Sequence, residues 1–171
     1  YEALAGQIRH VAVKSSDRNL PGSYIHAPGQ SAKLAPMNAM STVRILVIED
    51  EAAIREGLCD VLVYHGYAVE SAATGPEGLQ KAQSGKFHLV LLDIMLPGMD
   101  GYEICNRIRA RDRDQPIVML TAKTSDEEII EGLRLGADDY VAKPFSIQQL
   151  VLRLEAVLRR SRVGQELART L

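Results

Sequence analysis

The sequence contains no tryptophan, only two phenylalanines and only two cysteines. Cys59 and Cys105 stand far apart and form neither a CxxC nor a zinc-type spacing, which excludes a disulfide framework and a thiolate metal centre. Each falls among apolar residues of a predicted helix, so both read as buried thiols in a reducing compartment, the cytoplasm. The four histidines, His10, His26, His65 and His88, offer no pair at metal-ligand spacing and read as structural or surface residues. No apolar run reaches the ~20 residues that a membrane crossing needs, and no stretch has the build of a secretory signal. A formal net charge of −2 removes any global electrostatic case for nucleic acid or an anionic membrane.

What is present is an ordinary globular composition, 46% hydrophobic and 25% charged over 171 residues, enough for one self-standing core. Residues 1–42 read apart from it. Tyr1–Lys14 suits a short amphipathic helix, but Pro21, Gly22, Pro28, Gly29 and Pro36 then break the chain repeatedly. The segment is expected to be a leader, a linker or vector-derived sequence, with Met40 as a plausible native start.

From Val43 a regular alternation sets in. The continuous apolar, β-branched run Val43–Ile48 reads as a strand covered on both faces, and Tyr67–Ala72, His88–Asp93, Pro116–Thr121 and Asp139–Ala142 read as the strands that follow. Between and after them come helical patterns. The first carries Ile54, Leu58, Val61 and Leu62 and ends at Gly66; the second is Pro76–Ser84, closed by Gly85; the third is Tyr102–Ala110. Ser125 opens the fourth with Glu128 as its capping-box partner, and Gly136 ends it. Ser146 opens the fifth with Gln149 in the reciprocal position, followed by the stripe Ile147, Leu150, Val151, Leu154, Val157 and Leu158. Five strand–helix units in series predict a doubly wound α/β domain with a five-stranded parallel sheet and helices on both faces.

In such a sheet the working site lies beyond the carboxyl ends of the strands. There the sequence places Glu49-Asp50 after strand one, Asp93 at the tip of strand three, Thr121 at the tip of strand four and Lys143 after strand five. With the order 2-1-3-4-5 taken as a premise, Glu49, Asp50 and Asp93 meet in one pocket. Three carboxylates repel one another, and a hard divalent cation relieves that cost; few carboxylates and room for waters suit Mg²⁺. Thr121 can donate its hydroxyl to a phosphoryl oxygen, Lys143 can neutralise another, and Ala122 leaves space beside them. A carboxylate nucleophile, a metal, a hydroxyl and an ammonium are the parts needed to accept a phosphoryl group as an aspartyl-phosphate. Singly, each residue has an ordinary reading: a helix-capping acid, a strand threonine, a surface lysine.

The motifs ILVIEDE, LVLLDIMLPGMDG, VMLTA and GADDYVAKPF resemble the receiver domain of two-component response regulators across residues 43–160. The resemblance implies that Asp93 is the phosphoacceptor of a histidine kinase. It also implies that Glu49, Asp50, Asp93 and the backbone carbonyl of Met95 hold Mg²⁺, and that Thr121 and Lys143 contact the phosphoryl group. The Lys143–Pro144 bond is then expected to be cis, and Tyr140 matches an aromatic switch residue coupled to Thr121. A half-buried strand tyrosine is the equally supported alternative for Tyr140. Glu49 stands where many receivers have aspartate, and Met95 and Lys123 flank the pocket where phosphoryl lifetime is tuned.

The stretch GADDYVAKPFSIQQLVLRLEAVLRRSR is similar to the OmpR/PhoB-type winged-helix regulators, which dimerise on phosphorylation through the face of helix four, strand five and helix five. Asp138, Asp139, Arg153 and Arg160 match charged positions of that face, while Gln149 departs from it. Arg159, Arg160 and Arg162 read equally well as a basic helix end complementing its dipole. Residues 161–171 resemble the start of a linker, so a truncated regulator or a receiver-only piece is expected, with DNA contacted only through a further domain.

Two other classes compete. An aspartate-nucleophile phosphohydrolase uses a similar set but needs a second acid two residues after the nucleophile, where this chain has Met95. Slow self-phosphorylation and self-dephosphorylation, without enzymatic turnover, are therefore expected. A flavin or nucleotide carrier needs a phosphate cradle, and neither GxGxxG nor a P-loop occurs.

Overall fold

A computed structural model describes residues 43–122 and 125–161, with the side chain of Glu128 left out. The expectations for residues 1–42, His10, His26, Lys123, Arg162 and the segment 162–171 lie outside the described residues. The elements follow in strict alternation: β1 (Arg44–Ile48), α1 (Ala52–Tyr64), β2 (Ala68–Ala72), α2 (Gly75–Ala82), β3 (Leu89–Asp93), α3 (Gly101–Arg111), β4 (Ile117–Thr121), α4 (Asp126–Arg134), β5 (Asp139–Ala142) and α5 (Ile147–Arg160). All four strand pairings are parallel and the order is β2-β1-β3-β4-β5. The premised order is the observed one, and β1 and β3 are neighbours in register, Ile48 beside Leu92.

The three central strands are buried on both faces because each residue of their apolar runs serves one side or the other. Ile45, Val47, Leu89, Leu91, Val118 and Leu120 face α1 and α5, whose Ile54, Leu58, Leu150 and Leu154 complete one core layer. Leu46, Ile48, Val90, Leu92, Ile117 and Met119 face the other way, against Leu79 of α2 and Ile104 and Ile108 of α3. The full stripe of α5 is buried except Ile147, which is half-buried. A sheet sandwiched this way has a rigid edge of strand tips, and that edge carries the candidate site.

Helix ends follow local chemistry. Gly66 and Gly136 adopt positive φ, +89° and +91°, in the turns after α1 and α4, a conformation glycine enters without a Cβ penalty. Ser146 Oγ accepts the Gln149 N–H at 3.1 Å, the backbone-capping half of the expected box. Ser125 does sit at the N-cap of α4, but its side chain makes no capping hydrogen bond. Cys105 is buried as expected, whereas Cys59 is only half-buried, because its position on α1 points to the rim of the layer. His88 serves the fold: its Nδ1 accepts the Arg44 N–H at 2.8 Å.

Candidate functional site

The turn after β3 is built to present Asp93. Ile94 N–H continues the ladder to Leu120 O at 3.0 Å, and Gly101 N–H returns to Ile94 O at 2.9 Å, closing the loop on itself. Gly101 opens α3 against the backbone it has just left. A Cβ there would lie 2.6 Å from both the Asp93 carbonyl oxygen and the Ile94 Cα. Asp100 caps the same helix, its Oδ1 accepting Glu103 N–H at 2.8 Å. The Lys143–Pro144 peptide is cis, and Lys143 N–H donates to Thr121 O at 2.6 Å, tying the β5 tip to that of β4.

The pocket brings together Glu49, Asp50, Asp93 and Lys143. One ligand oxygen from each of the three acids lies within 4.8 Å of the others. Lys143 Nζ bridges two of them, 2.9 Å from Glu49 Oε2 and 3.0 Å from Asp93 Oδ2. The second oxygens are also engaged: Glu49 Oε1 accepts Glu51 N–H and Asp93 Oδ1 accepts Met95 N–H, each at 3.1 Å. Glu49 is 1% exposed and Asp93 4%, whereas Asp50 is open to solvent. This grading matters: a buried charge needs an in-protein partner, while an exposed one is free to approach a hydrated ion.

One ammonium serves two carboxylates, and the excess falls on Glu49. Burial, then the neighbouring Asp93 charge, push its pKa up to about 7 despite the attraction of Lys143. For Lys143 burial works against the charged form, but Glu49 and Asp93 outweigh it and raise its pKa above the ordinary lysine value. The cluster therefore holds a cation firmly and still carries unneutralised negative charge. The donor set is oxygen-only and short of positive charge, and that chemistry fits a hard divalent cation such as Mg²⁺.

Thr121 stands at the β4 tip and is fully buried, Ala122 beside it is exposed, and Met95 is exposed. Tyr140 is half-buried on β5, with its hydroxyl 3.1 Å from that of Tyr102 on α3. Asp138 and Asp139 are engaged within the chain. Asp138 Oδ2 accepts from Arg109 Nη2 at 2.9 Å and from Ile117 N–H at 2.8 Å. Both oxygens of Asp139 accept from Arg153 Nη1 at 3.0 Å. Arg160 lines the same shallow groove as Asp139 and Arg153, apart from the strand-tip pocket.

Sequence reasoning missed Arg55. Its guanidinium reaches back from α1 to the carbonyls of Glu49 and Asp50, at 2.9 and 3.0 Å, and pins the turn that carries both acids. The available signal was an arginine one helical turn beyond the acidic run. It also missed that Lys143 Nζ bridges Glu49 and Asp93.

The response regulator receiver domain family matches residues 45–155. Response regulator MprA of Mycobacterium ulcerans is 42% identical over 125 residues, 73% of this chain and 54% of that protein. The MprA of Mycolicibacterium vanbaalenii is 45% identical over 119 residues, 70% of this chain and 52% of that one. The chain thus spans about half the length of the curated relatives it matches. Among solved structures, a CheY-like receiver domain protein from Methanospirillum hungatei is 33% identical, with a TM-score of 0.67 over 77% of this chain and 100% of that one. The strand order, the acidic cluster at the strand tips and these matches agree, and the chain belongs to the receiver domain family of response regulators.

Proposed function

We propose that Asp93 is the phosphoacceptor of a two-component pathway, in a regulator of the OmpR/PhoB type, with residues 43–160 as the receiver. One observation carries this reading: the Asp93 carboxylate stands at a strand tip within reach of Glu49 and Asp50, with Lys143 Nζ 3.0 Å away. An Asp93 oxygen attacks the phosphorus of a phosphohistidine on the kinase; the P–N bond breaks, and the imidazole leaves with the electron pair and takes a proton. Lys143 shifts its ammonium from the carboxylate pair to a phosphoryl oxygen, and the Thr121 hydroxyl donates to another. Glu49, Asp50, Asp93 and the Met95 carbonyl would hold Mg²⁺, which when bound supplies charge neutralisation for the transferring group. Exposed Met95 offers no acid to activate water, which supports a stored phosphoryl group over turnover.

Thr121 is fully buried, so engaging a phosphoryl oxygen draws it toward the pocket and vacates space behind it, where Tyr140 acts as the switch. Output leaves through α4, β5 and α5. Ile130 and Leu133 on α4 and Leu152 on α5 are exposed apolar side chains on that face, and Asp138, Asp139, Arg153 and Arg160 supply its charges. A homodimer formed there would present a DNA-binding output domain in the full-length cytoplasmic regulator. No described helix is long and apolar enough to cross a membrane.

The test is the molecular mass in solution with and without beryllofluoride and Mg²⁺, for the wild type and Asp93→Asn. The reading predicts uptake of the mimic and a dimer for the wild type only. Uptake by Asp93→Asn would overturn the acceptor assignment; uptake without a size change would remove the dimer and keep the acceptor.

A further inference from the structure

Two independent observations converge on the Tyr140 ring, away from the strand-tip pocket. Its hydroxyl meets the Tyr102 hydroxyl at 3.1 Å, joining β5 to α3 across the edge of the second core layer. Its ring edge lies where the side chain of residue 132 would be. A Cβ on Gly132 would stand 2.5 Å from Tyr140 Cε2 and 3.0 Å from Cδ2, and 3.5 Å from the Tyr102 ring. Glycine in a helix interior costs about 1 kcal/mol relative to alanine. Within α4 (Asp126–Arg134), Gly132 accepts that cost in the one place where the tyrosine ring needs the space. The ring is thus held from two sides, by a hydroxyl on α3 and by a missing side chain on α4.

We propose that Tyr102 is a positioning residue for the switch: with Gly132 it forms a seat that holds Tyr140 while Asp93 is unmodified. This rests on the acceptor reading above and deepens it, since it names what sets the resting balance of the switch. Lys143 Nζ bridges Glu49 and Asp93 in the same conformation as the seat, the pairing that the proposed shift of Lys143 to a phosphoryl oxygen would break. For Tyr140 to follow Thr121 it must give up the Tyr102 hydroxyl. A ligand that favours the displaced state then binds more weakly by whatever the seat contributes. The Tyr102 hydroxyl acts on the switch through its 3.1 Å contact with the Tyr140 hydroxyl.

The experiment is NMR of the chain carrying ¹³C-labelled tyrosine, combined with beryllofluoride titration in Mg²⁺. The variants are Tyr102→Phe, Tyr140→Phe (which also assigns the Tyr140 resonance), the double variant, and Gly132→Ala. Tyr102→Phe keeps the ring and removes the hydroxyl that meets Tyr140. The expected results are a shifted Tyr140 resonance in the unliganded protein and beryllofluoride affinity raised roughly two- to tenfold, the worth of one hydrogen bond. The double variant should bind no more tightly than the tighter single one, because both hydroxyls belong to one bond. Gly132→Ala should displace the same resonance while the chain stays folded, since the atoms it meets are the far edge of a side chain that can swing. An unmoved Tyr140 resonance in Tyr102→Phe, or affinity unchanged or weakened, would overturn the proposal. If the wild type takes up no beryllofluoride, the acceptor reading fails first, and a shifted resonance would then leave the seat as packing without a regulatory role.

Discussion

The strand-tip pocket and the α4–β5–α5 face both consist of acids paired with basic side chains, yet they are opposite in kind. In the pocket, Glu49, Asp93 and Lys143 are withdrawn from water, with Lys143 only 6% exposed at its side chain, and one cation is shared by two anions. On the face Asp139 has an arginine of its own, Arg153, whose side chain is 41% exposed. Buried charges interact strongly and are costly to leave unmatched, whereas exposed pairs are screened and individually contribute little. A group arriving at Asp93 would therefore disturb a charge balance that water does not screen. A partner arriving at Asp139 would exchange one solvated pairing for another, as the proposed association face requires.

The largest expected effect comes from removing the shared cation. Lys143→Met leaves two buried carboxylates facing one another and should cost about 3–5 kcal/mol of stability in urea unfolding at pH 8 without divalent metal. A loss below 1 kcal/mol would place the pocket with the surface face and break the contrast.

Next comes pH. Glu49 titrates near 7 in the folded chain against 4.5 for an ordinary glutamate, so the folded state binds more protons across that window. Its contribution is fully present below pH 4.5 and is lost as pH rises through about 7, on the order of 3 kcal/mol. Unfolding curves in metal-free buffer should show this decline in the wild type and a flatter profile in Glu49→Gln; parallel profiles would contradict it.

Gly101→Ala sharpens the comparison from the backbone side. Its Cβ would meet the Asp93 carbonyl and the Ile94 Cα, atoms that cannot swing aside, so a loss of roughly 1–3 kcal/mol is expected in thermal unfolding. The smallest effect belongs to the face: Arg153→Ala should cost less than about 1 kcal/mol and lose even that in high salt. A larger, salt-insensitive loss would show that the Asp139–Arg153 pair is a structural clamp.

The same contrast explains what could be read before the structure. The strands declared themselves because a sheet covered on both faces needs unbroken apolar runs, and VRILVI, LVLLD and PIVMLT are such runs of strand length, rich in β-branched residues. Asp93, Thr121 and Lys143 stood out because each ends or follows such a run. The Arg55 clamp, the bridging role of Lys143 and the Tyr102–Tyr140 contact did not, since they join residues 5 to 94 positions apart and depend on how helices settle on the sheet. Ser125 illustrates the reverse: a capping-box pattern placed the helix start correctly, but the side-chain bond it implied is absent. Local pattern located the element there, and tertiary geometry decided the contact.

The most direct measurement of the account is phosphoryl labelling by a small-molecule acyl phosphate in Mg²⁺, mapped to a peptide by mass spectrometry. One phosphoryl group is expected on the wild-type chain, located on Asp93, lost in Asp93→Asn and strongly slowed without the metal. Labelling retained by Asp93→Asn at that peptide, or carried by a different residue of the wild type, would contradict it.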